Sequence, residues 1–103
     1  MPSVADLVEP ARLPDLATPA NLRLGREIAD ADAIEMLTFG PRLVRAKVGG
    51  PRVNTHRRTT ELRSAGGALE WSCTCSRKGL FCKHCVALAI TTWDTAPTRR
   101  WSS

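Results

Sequence analysis

All four cysteines and one of the two histidines fall within thirteen positions: Cys73, Cys75, Cys82, His84 and Cys85. Thiolates and imidazole gathered this densely are the donor set of a tetrahedral Zn²⁺ site. Zinc takes four ligands and five candidates are present. The chemistry alone permits Cys73, Cys75 and Cys82 with either His84 or Cys85 as the fourth. Two other chemistries are disfavoured. Paired disulfides belong to secreted chains, and residues 1–20 contain Asp6, Glu9, Asp15 and four prolines in place of an apolar signal core. A nucleophilic Cys–His pair would need one activated thiol, not four clustered ones.

The elements that must position these donors can be read from periodicity. Thr18 followed by Pro19 predicts a helix start, and Leu22, Ile28 and Ala29 extend it over about 19–30. The period then becomes two. Leu43–Val48 alternates Val44, Ala46 and Val48 with Arg45 and Lys47, between the turn signals Gly40-Pro41 and Gly49-Gly50-Pro51. Val53–Leu62, rich in Thr and Arg, predicts a strand exposed on one side. After the turn Ser64–Gly67, Ala68–Cys75 places Leu69, Trp71, Cys73 and Cys75 on one face. Cys82–Trp93 returns to helical spacing through Cys85, Val86, Leu88 and Ala89.

These elements predict an α+β domain: an antiparallel meander of three or four strands, Ile34 to Cys75, with a short N-terminal helix and a C-terminal helix following Cys82 and His84. Residues 1–17 are expected to be a flexible lead, 18–94 the zinc-binding domain, and 95–103 a flexible tail. A chain of 103 residues buries a modest core, so a structural metal would add needed stability.

The run from Trp71 to Cys75 and from Phe81 to Ile90 resembles a SWIM-type zinc finger, whose pattern is CxC, a variable gap, then CxH. The stretches Leu24–Ile28 and Arg45–Gly50 resemble bacterial SWIM proteins, so the similarity spans about residues 22–93. The resemblance implies that Cys73, Cys75, Cys82 and His84 bind one structural Zn²⁺ and that Cys85 is a small apolar residue on the helix's core face. One departure is visible: Val53 to Arg58 lacks the aromatic and alternating apolar positions usual there.

SWIM modules are predicted DNA- or protein-binding domains of helicase-associated proteins, Mutator-type transposases and kinase-linked ubiquitin ligases. Here residues 1–41 carry three arginines and seven acids, a net of −4, while 42–103 carry twelve basic residues and three acids, a net of +9. That asymmetry points to an anionic partner. A DNA-binding face is expected from Arg45, Lys47, Arg52, Arg57, Arg58, Arg77, Lys78 and Lys83, with Arg63 beside them. The alternative is a protein–protein adaptor associated with a larger helicase or ATPase assembly, with an apolar patch around Leu37, Phe39 and Phe81. Neither an enzyme nor a small-molecule site is expected, since the chain has no P-loop and a closed site has no open metal position. No stretch has the length of a membrane span, and the cysteines suit a cytoplasmic protein. His56 is expected on an exposed strand and not at the metal. Trp71 and Trp93 are expected in the core.

Overall fold

The computed structural model describes residues 3–31, 33–49, 58–74 and 81–95. Its elements are α1 (Val4–Leu7), a 3₁₀ turn (Pro10–Arg12), α2 (Leu13–Leu16), α3 (Pro19–Asp30), β1 (Ile34–Phe39), β2 (Leu43–Val48), β3 (Arg58–Ala65), β4 (Ala68–Cys73) and α4 (Lys83–Thr95). The strands form a four-stranded antiparallel meander in the order β1-β2-β3-β4. This is the α+β architecture that the periodicity predicts.

Each element follows from local chemistry. Thr18 caps α3, its Oγ1 accepting from the Asn21 N–H at 3.2 Å, with Pro19 in the first turn. β2 alternates as expected: Val44, Ala46 and Val48 are fully buried while Arg45 and Lys47 are exposed. Gly66 and Gly67 link β3 to β4 with φ of 59° and 83°, the left-handed conformation that a two-residue hairpin turn demands. Leu37 falls at an irregularity in the β1–β2 register, between Met36 and Thr38, and is 47% exposed.

The sheet's inner face is covered by α4, which packs on β2, β3 and β4 and is itself packed against α3. Cys85 to Ala89 are all fully buried, so this part of α4 is enclosed on every side. The helices meet at Gly25. A Cβ there would lie 2.4 Å from Val86 Cγ1 and 2.9 Å from the Lys83 carbonyl. Gly25→Ala is therefore expected to force α3 away from α4 and to destabilise the fold by about 1–3 kcal/mol despite alanine's better helix propensity. A lowered thermal midpoint would register it; an unchanged or raised midpoint would refute the close approach.

The first segment differs from expectation. Residues 3–17 are not a loose lead: Val4, Val8 and Leu13 join the core cluster. Ser3 and Asp6 form a reciprocal capping box, with Asp6 Oδ2 accepting from the Ser3 N–H at 3.0 Å and Ser3 Oγ from the Asp6 N–H at 3.3 Å. The Val4 N–H donates to the Pro41 carbonyl at 2.7 Å, tying α1 to the β1–β2 turn. Pro10 and Pro14 divide the segment into short helical turns without preventing it from packing. Of the expected tail, only Thr95 is described, as the last residue of α4.

Candidate metal centre

β4 delivers Cys73 from its inner face at the strand's end. Its backbone partner across β3 is Thr60, whose Oγ1 lies 3.4 Å from Cys73 Sγ, so the hydroxyl can donate to a thiolate there. Directly beyond, Thr74 N–H donates to the Thr59 carbonyl and Thr59 N–H to Thr74 Oγ1, each at 3.1 Å. These bonds fix the strand end where the chain departs towards α4.

The chain returns at Phe81. This ring is 1% exposed and meets Trp71 edge-on, with centroids 5.1 Å apart and planes at 84°. One aromatic stands two residues before Cys73 and the other one residue before Cys82. Their contact draws β4 and the entrance of α4 together. Cys82 then precedes the helix and His84 sits in its first turn, 6% and 7% exposed.

The donor atoms of Cys73, Cys82 and His84 all lie within 4.8 Å of one another. Cys82 Sγ and His84 Nδ1 are 3.7 Å apart. A sulfur and a nitrogen sharing a tetrahedral zinc would be separated by about 3.6 Å, from ordinary Zn–S and Zn–N lengths. The chemistry of the thiols points the same way. Cys73 is pulled well below the ordinary thiol range, first by the Cys82 thiol and then by that of Cys85. Cys82 is raised to about 11, chiefly by its hydrogen bond with Cys73, and Cys85 is pushed far up by the same neighbour and by Cys82. One thiolate thus forms at the expense of the others. Holding several together requires the charge of a divalent cation, which Zn²⁺ would supply.

The remaining expectations divide. Cys85 is fully buried on α4, as the resemblance implies, but its Sγ is also 3.8 Å from that of Cys82. Trp71 and Trp93 are half-buried. Arg45 is exposed on the outer sheet face and held by Glu61, with Nε and Nη2 at 3.0 and 2.9 Å from Oε2. Arg63 reaches Glu61 and Glu70 at 3.3 and 3.5 Å. Lys47 is exposed and stands opposite Glu35 in the register, Arg58 opens β3 opposite Val48, and half-buried Lys83 opens α4. Cys75, Arg52, His56, Arg57, Arg77 and Lys78 lie outside the described residues. The apolar patch expected at Leu37, Phe39 and Phe81 does not form, because Phe81 is consumed by the core. Sequence reasoning missed Thr60, whose only signal was its place in a Thr-rich strand.

The strand end and the helix start bring together a cysteine and histidine group that could hold a metal ion. Residues 54–92 match the family model of the SWIM zinc finger. No curated protein and no solved structure matches the chain. Among the described residues, no helix is long and apolar enough to cross a membrane.

Proposed function

We propose that this protein is a non-enzymatic, cytoplasmic, zinc-folded module that binds DNA through basic segments beside its metal centre. The ligands in this reading are Cys73, Cys75, Cys82 and His84, around a single Zn²⁺. One observation carries the nucleic-acid assignment. Segments 50–57 and 75–80 hold Arg52, Arg57, Arg77 and Lys78 and no acid. Their described chain neighbours are Gly49 and Arg58, and Thr74 and Phe81; the ends of β2 and β4 and the start of β3, next to Gly49, Thr74 and Arg58, lie at one end of the sheet, the end that carries Cys73. Arg58 and Lys83 open β3 and α4 at the same end.

The outer sheet face supports the reading less. There Arg45, Lys47 and Arg63 are matched by Glu35, Glu61 and Glu70, so that face is charge-balanced. Phosphate contact by Arg45 would have to compete with Glu61. The binding is expected to be electrostatic, with little sequence preference.

Fluorescence anisotropy of labelled single- and double-stranded DNA, titrated across a salt series, tests the proposal. The expected result is binding at low salt with affinity falling linearly on a log–log plot. Replacing Arg52, Arg57, Arg77 and Lys78 together by Gln should flatten that slope, whereas Arg45→Gln should change it by about one unit or less. Absence of binding at low salt would remove the reading.

A protein–protein adaptor is the second reading. A cleft of about 410 Å³ between the N-terminal segment and the β3–β4 hairpin favours it, lined by Leu7, Leu16, Leu69 and Trp71 with Arg12 and Asp15.

A further inference from the structure

Cys85 is the thiol left over by the four-ligand reading, and its position is specific. Cys82 and Cys85 form a Cys-x-x-Cys pair across the entrance of a 13-residue helix, with sulfurs 3.8 Å apart. Residues three apart at a helix start have Cα atoms spaced within the range that a disulfide bridges without moving the backbone. Within this pair Cys82 retains some exposure and Cys85 has none, so a small oxidant reaches Cys82 before Cys85.

We infer that Cys85 is a resolving thiol: a hydroperoxide oxidises Cys82, and Cys85 captures it as a Cys82–Cys85 disulfide, releasing the metal. The steps balance. The Cys82 thiolate attacks the peroxide's outer oxygen, breaking the O–O bond, and one proton is taken up to give a sulfenic acid and an alcohol or water. The Cys85 sulfur then attacks the Cys82 sulfur. An S–S bond forms, the S–O bond breaks, and water leaves. The two electrons lost by the thiol pair are those gained by the peroxide. Cys82 is then no longer a thiolate donor, and a centre reduced to its remaining donors lets zinc go. Reduction of the disulfide by a dithiol restores the donor.

Without a resolving partner, a sulfenic acid proceeds to sulfinic acid, which thiols do not reverse. Cys85 therefore makes the oxidation reversible. The inference rests on the zinc-binding reading for metal release, but the thiol pair can be tested separately from it.

The experiment treats the zinc-loaded full chain with hydrogen peroxide. Released zinc is followed with a chromogenic chelator, and the protein by intact mass and peptide mapping. The expected wild-type product is lighter by about 2 Da, carries a Cys82–Cys85 bridge, and regains zinc after dithiothreitol. Cys85→Ala should still load zinc, but its oxidised form should recover roughly tenfold less zinc binding after reduction and should carry sulfinic acid. A bridge mapped to Cys73–Cys82 or Cys73–Cys75 would overturn the inference. So would equal recovery in the variant. The wild-type map decides even where the variant folds poorly. A purified chain that takes up no zinc would defeat the metal reading, while mapping the same chain still decides the thiol pair.

Discussion

Removal of zinc from the loaded protein is expected to separate α4 from the sheet, with loss of much of the helical circular dichroism and of the cooperative thermal transition. The centre joins the end of β4 to the start of α4, and its two described α4-side donors are almost wholly buried. Without the cation, thiolates at these distances repel one another or must take up protons, and the Phe81 side of the joint loses its fixed end. Structural zinc contributes apparent free energies on the order of 10 kcal/mol or more in small zinc-finger peptides. A domain of this size has about 5–15 kcal/mol in total. The metal's contribution is therefore comparable to the whole stability. Circular dichroism and a melting curve before and after a strong chelator, with zinc added back, measure it. An unchanged melting curve after proven removal would sink the structural role.

The second large effect is expected at the aromatic joint. Phe81→Ala removes a ring that is 1% exposed and held edge-on by Trp71. Large aromatic truncations in cores cost about 3–5 kcal/mol, through lost burial and the cavity left behind. Here the loss has a second consequence, because Phe81 is adjacent to Cys82. Its ring holds the backbone that delivers that thiol, so zinc affinity should fall along with stability. Phe81→Leu, which fills most of the volume, should recover the greater part of both. A stability loss with metal affinity unchanged would show that Phe81 packs the core without positioning Cys82. Trp71→Phe keeps an edge-on ring available and should be milder than Phe81→Ala.

Much of this arrangement is legible in the chain. The Thr18-Pro19 start, the strict alternation of β2 and the paired glycines at 66 and 67 are local signals, and the local structure obeys them. The metal donors are legible because their residue types are rare and their spacing is tight. What escapes local reading depends on tertiary partners. Ser3 and Asp6 form a capping box, but among four prolines its helix is a single turn, stabilised by burial of Val4 and Val8 and by the Pro41 carbonyl. The occupation of Arg45 by Glu61 requires the β2–β3 register, which periodicity alone does not specify. Phe81 reads equally well as an exposed loop aromatic until Trp71 is placed opposite it.

The packing of α1 against α4 has a consequence for the order in which the protein can form. Residues 4–8 find some of their native neighbours in α4, which leaves the ribosome about eighty positions later. The helical lead must therefore wait, partly solvated, until the sheet has paired and the last helix has docked. The bonds between neighbouring strands and the turn at Gly66 and Gly67 can form early, since they are local in sequence. Closure of the fold comes last, and it coincides with assembly of the cysteine and histidine donors. Metal supply during synthesis thus falls on the final step, where the N-terminal strap and the C-terminal helix are captured together.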